Sequence, residues 1–151
     1  MNKNNIIAIL TSLIWMLFFV SCKNNDDTNS IIQAQIQTNI KSGSWRITKF
    51  IDSGVDETNH FSGYSFIFNG SGIINANNGL NDYNGTWVIT DNSTSDDTQN
   101  DLDFVINFNL TNDFQDLNDD WDFVTQSSTK IELIDISGGN GGIDYLTFEK
   151  N

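Results

Sequence analysis

From about residue 44 to the end of the chain, apolar positions recur every second residue. The clearest run is Leu102-Asp103-Phe104-Val105-Ile106-Asn107-Phe108-Asn109-Leu110. Leu102, Phe104, Ile106, Phe108 and Leu110 share one face, while Asp103, Asn107 and Asn109 share the other. Alternation of this length predicts a half-buried antiparallel strand. Tyr64, Phe66 and Phe68 repeat the pattern, and Asn69-Gly70-Ser71-Gly72 reads as a hairpin turn into Ile73-Ile74-Asn75-Ala76. Taken along the chain, the pattern predicts eight strands, at 44–52, 61–69, 72–77, 84–91, 101–110, 119–126, 129–136 and 143–150. The connections are polar: 91–100 holds no apolar residue and 137–142 is mostly glycine. Residues 111–118 have room for one helical turn that tucks Phe114 and Leu117 inward. Proline is absent, so Gly, Asn, Asp and Ser must build the turns. Short strands at this spacing predict an all-β fold, an up-and-down barrel or a sandwich. A closed barrel of about eight strands has an interior just wide enough for side chains or one small ligand.

Ahead of the strands the period is different. Ile32, Ile36 and Ile40 lie at i, i+4 and i+8, which fits one face of a short helix. Further upstream, Lys3 precedes an apolar run from Ile6 to Val20, too short for the roughly 20 residues of a bilayer-spanning helix. The run ends in Phe19-Val20-Ser21-Cys22, which resembles the lipobox of bacterial lipoproteins: a small residue at the scissile bond, then the thiol that accepts diacylglycerol. The resemblance implies that residues 1–21 are a signal peptide and that Cys22 is the lipidation site. Lys23-Asn24-Asn25-Asp26-Asp27 is similar to the Lys-then-acidic export signal of Bacteroidota surface lipoproteins. That implies a cell-envelope protein of the outer membrane, exposed at the surface, with the membrane as partner through its lipid. The polar composition of 22–30 predicts a tether unable to bury enough to fold, leaving 31–151 as the domain.

Gly43-Ser44-Trp45 opens the first strand directly after the short helix, and Gly85-Thr86-Trp87 repeats the motif at the fourth strand. Asp119-Asp120-Trp121 opens the sixth strand, and Asp144-Tyr145-Leu146-Thr147-Phe148-Glu149-Lys150 closes the chain. The Gly-x-Trp start and the order of elements over most of 40–150 resemble lipocalins and the small lipocalin-like lipoproteins of Bacteroidota. The resemblance implies an eight-stranded antiparallel lipocalin-like barrel preceded by a short N-terminal helix, with Trp45 closing its base. Lipocalins pack an Arg from the end of the barrel onto that Trp. Here the only Arg is Arg46, next to Trp45 and so on the opposite face, which leaves Lys150 as the candidate for that place.

Charge and chemistry narrow the function. The chain has 20 acidic against 7 basic residues, a formal charge of −13. Such a surface repels phosphate backbones, so no nucleic-acid partner is expected. A single cysteine permits no intramolecular disulfide. His60, the one histidine, sits in the polar stretch Asp56-Glu57-Thr58-Asn59-His60 without a nucleophile or a second metal ligand beside it, and reads as a surface residue. Asp120 and Asp122 would share a solvated strand face opposite Trp121 and Phe123, which disfavours a catalytic carboxylate pair. Asp116-Leu117-Asn118-Asp119-Asp120 opens like a calcium loop, but Trp121 and Ser127 stand where Gly and Glu are required. No catalytic residue, metal site or cofactor is therefore expected. The candidate ligand-facing residues are Tyr64, Phe66, Phe68, Phe104, Ile106 and Phe108. Together with the other aromatics they either line a cavity for a small apolar ligand or fill the barrel, leaving a structural or protein-interaction module.

Overall fold

The computed structural model describes residues 25–91, 102–136 and 142–151. The expected signal peptide, Cys22 and the polar runs at 92–101 and 137–141 lie outside the described residues. Among the described residues, one α-helix, α1 (Asn25–Ile40), precedes nine strands: β1 (Trp45–Asp52), β2 (Val55–Asp56), β3 (Ser65–Phe68), β4 (Ile73–Asn77), β5 (Asp82–Asp91), β6 (Leu102–Asn107), β7 (Asp119–Gln126), β8 (Lys130–Ile136) and β9 (Ile143–Lys150). They form one antiparallel sheet in the order β2-β1-β3-β4-β5-β6-β7-β8-β9. Pairing of β1 with β9, from Trp45↔Lys150 to Ile51↔Tyr145, closes it. Eight strands thus make the barrel, and β2 is an extra two-residue strand on the far end of β1.

The predicted alternation sets the inside of the barrel. Phe66 and Phe68, Trp87 and Ile89, Phe104 and Ile106, Ile131 and Leu133, and Leu146 and Phe148 are all buried. Two predicted strands are shorter than the alternation suggests. Phe61 ends a 3-10 helix, Thr58–Phe61, so β3 starts only at Ser65. Phe108 lies past the end of β6, because the Asn118 side chain takes its backbone: the amide donates to Phe108 O, and Oδ1 accepts from Phe108 N. That amide stands in for a partner strand and ends the ladder.

The helix corrects one expectation. It begins at Asn25, so it takes in residues 25–30, which composition assigned to an unfolded tether. Ile36 and Ile40 are buried and Ile32 packs at the edge of the core, as the i, i+4, i+8 spacing requires. Gln33 Nε2 donates to Ile89 O at 2.6 Å and Asn39 to Gln126 Oε1 at 3.3 Å, holding the helix across one end of the barrel.

Three buried indoles fasten the strands to what covers the two ends. Trp45 Nε1 donates to Ile40 O (2.8 Å), the last residue of α1. Trp87 Nε1 donates to Asn69 O (3.2 Å) in the β3–β4 turn, and Trp121 Nε1 to Leu117 O (3.2 Å) at the end of a second 3-10 helix, Asp113–Leu117. Each indole buries its ring and satisfies its one donor at the same time. The Gly-x-Trp entry has a physical basis as well. Gly43 has φ +92°, and a Cβ there would come within 2.9 Å of Lys150 Cε. Lys150 Nζ sits 5.5 Å from the Trp45 ring centroid and donates to Ser42 Oγ and Ser128 O. Lys150 therefore packs against Trp45, while Arg46 points outward to Glu149 at 3.3 Å.

Candidate functional site

The six predicted ligand-facing residues converge on the interior. Phe66, Phe68, Phe104, Ile106 and Phe108 are fully buried, and Tyr64 is buried at the rim remote from α1. Their rings meet one another and their neighbours at contact distance. Phe66 and Phe68 both lie 5.5 Å from Phe148, with interplanar angles of 78° and 81°. Phe68 and Phe104 are 5.6 Å apart, and Phe104 stacks on Phe123 at 5.6 Å. These separations are those of packed aromatic pairs.

The end remote from α1 is closed by loops. Phe114, on the second 3-10 helix, lies within 4.9–6.1 Å of five rings: Phe61, Tyr64, Phe66, Tyr83 and Phe108. Phe114 and Leu117 are buried, as the sequence predicted for 111–118. Gly85 makes room for this plug, since a Cβ there would stand 2.8 Å from Phe108 Cδ1 and 2.5 Å from Asn107 O. The expected mouth of the barrel is thus occupied by the chain's own aromatics.

Outside the plug lies a ring of acids. Carboxylate oxygens of Asp52, Glu57 and Asp116 come within 4.8 Å of one another. Exposed His60 stands beside them, 3.8 Å from Glu57 and 3.9 Å from Asp113. Partial burial, then the charges of Asp52 and Asp113, push the Asp116 carboxyl up, while His60 opposes them. Three such oxygens could ligate a hard cation. The calcium-loop spacing is not what assembles them: Asn118 is bound to the Phe108 backbone and Asp120 is exposed. Sequence reasoning did not bring Asp52, Glu57 and Asp116 together, because β1, the loop after β2 and the second 3-10 helix supply one each.

Asp119, half-buried, starts β7. Burial pushes its carboxyl up to about 6, against the Asp120 N–H that donates to it at 2.9 Å, and Asp120 and Asp135 add repulsion. Asp120 and Asp122 are exposed and Trp121 is buried, as the alternation predicted. No known family model matches the chain, and no curated protein is significantly similar to it.

Proposed function

We propose that this chain is a non-catalytic cell-envelope lipoprotein, anchored in the outer membrane through Cys22, whose barrel serves as an interaction or structural module. The observation that carries this reading is the packed interior. Phe66, Phe68, Phe104 and Phe108, the residues a small apolar ligand would need, are engaged with Phe148, Phe114 and one another. A barrel of this size holds a ligand only if its side chains leave space for one. What remains for recognition is the loop end, where Glu57, His60, Asp113 and Asp116 stand on the rigid base of Phe61 and Phe114.

The lipobox-like Phe19-Val20-Ser21-Cys22 supports the anchor, and Lys23 to Asp27 supports exposure at the cell surface. Two acyl chains or more hold a protein firmly where one does not. In the native host, Cys22→Ser should release the protein from the membrane fraction, and unchanged retention would contradict the anchor. A photo-cross-linking side chain in place of His60 should give a discrete protein adduct in intact cells, and the same group at Val88 on the barrel wall should not. Absence of any adduct from the loop end would contradict the interaction module.

A further inference from the structure

We propose that the α1 end of the barrel lies directly on the lipid bilayer, with Ile31, Ile32, Phe123 and Val124 as its membrane-contacting surface. The inference rests on the reading of Cys22 as the lipidated residue. The helix begins at Asn25, so only Lys23 and Asn24 separate it from the anchor. At full extension that connection reaches about 10 Å. From Asn25 to Ile31 or Ile32 is another ~10 Å along the helix. The whole helical end is therefore held within a short reach of the headgroups and cannot stand off as a nine-residue tether would allow.

The surface held there carries exposed apolar side chains beside the polar Thr125 and Gln126. A groove of about 360 Å³ runs between α1 and the β6–β7 wall, lined in part by Ile32, Leu102, Phe123 and Val124. Val124 is 56 % exposed, and Ile31 on the helix is 68 % exposed. The shift in register between Phe123 and Thr125 places Val124 at a bulge in β7, near Gln126, which bonds Asn39 of α1. Apolar side chains beside a lipid anchor gain by entering the headgroup boundary. The chain's charge of −13 disfavours an anionic surface, so the lipid expected here is zwitterionic.

The test uses the mature lipidated protein in phosphatidylcholine vesicles. An introduced cysteine is then the only free thiol, and an environment-sensitive dye is placed at Val124→Cys or at Leu80→Cys. Leu80 is 93 % exposed in the β4–β5 turn at the opposite end and serves as the reference. Brominated phosphatidylcholine should quench the dye at position 124 several-fold more than at position 80. Equal quenching in protein that still sediments with the vesicles would overturn the docking while leaving the anchor intact. Failure to sediment would overturn the anchor and the docking with it. Shielding of position 124 in native envelopes but not in pure lipid would assign the surface to a protein partner and overturn the lipid proposal.

Discussion

The two ends of the barrel are closed by different means. At one, a regular helix lays an aliphatic stripe of Ile32, Ile36 and Ile40 over the strands, and Trp45 hydrogen-bonds its last carbonyl. At the other, two short 3-10 helices insert Phe61 and Phe114 into an aromatic cluster and turn Glu57, Asp113 and Asp116 outward. The helical closure carries its polar groups to solvent or to partners such as Gln33 with Ile89 O. The loop closure partly buries carboxylates beside a packed aromatic base, and burial, with neighbouring acids adding to it, raises the Asp116 and Asp119 carboxyls there. One end is sealed by an aliphatic stripe flanked by exposed Ile31 and Val124; the other presents carboxylates over an aromatic base.

The strongest way to break this comparison is to remove the residue at the centre of each closure. Trp45→Ala and Phe114→Ala should each lower the unfolding free energy by about 3–5 kcal/mol, a loss comparable with the net stability of a small domain. Urea unfolding reads both. A loss under about 1 kcal/mol for Trp45 would place it outside the core, and one that small for Phe114 would make the loop end a lid and not a plug. Gly85→Ala comes next. Its methyl group would have to displace Phe108 or the Asn107 carbonyl, an overpacking that costs about 1–3 kcal/mol. A neutral result would show slack in the plug.

The smallest effect concerns charge. Burial pushes the folded Asp119 carboxyl up to about 6, above the ordinary value of 3.8. Folding therefore favours its protonated form, so stability is greater at low pH and falls as pH rises from about 4 through 6. Asp119→Asn keeps the oxygen that accepts from Asp120 N and removes the charge. It should raise stability at pH 8, by under about 1 kcal/mol once solvent screening is allowed for, with little difference at pH 4. Equal denaturation midpoints for variant and wild type at pH 8 would contradict the raised carboxyl.

Most of the barrel was legible because its alternation is long and clean. Leu102 to Phe108 place their even residues inside as read, and Asn69 to Gly72 form the expected hairpin, with Asn69 Oδ1 accepting from Ser71 N and Ile73 N. Boundaries were lost where side chains outside the strand captured its backbone. Asn118 on Phe108, at the end of β6, is the example. The start of α1 was hidden because Asn, Asp and Ser weigh toward a loop in composition but suit a helix N-terminus by charge and capping. The six interior residues were found, yet pattern alone could not say whether they face a void or one another. That depends on Phe114 arriving from a loop and on Phe148 from β9, far along the chain. The acidic ring was invisible for the same reason: no local spacing links Asp52, Glu57 and Asp116.

The central claim is that the aromatic side chains among the described residues fill the barrel interior, and a binding titration tests it most directly. The mature chain carrying Cys22→Ser is titrated with an environment-sensitive fatty-acid probe, alongside a companion carrying Ile106→Phe as well. Ile106 is fully buried and apart from the groove beside α1, but its strand also borders an open groove with Asn118 to Asp120, so Ile74→Phe, at another fully buried position, is titrated as a second companion. The packed barrel predicts that any probe signal is the same in each protein. Saturable micromolar binding that Ile106→Phe and Ile74→Phe both abolish while the proteins stay folded would show a cavity and contradict the account.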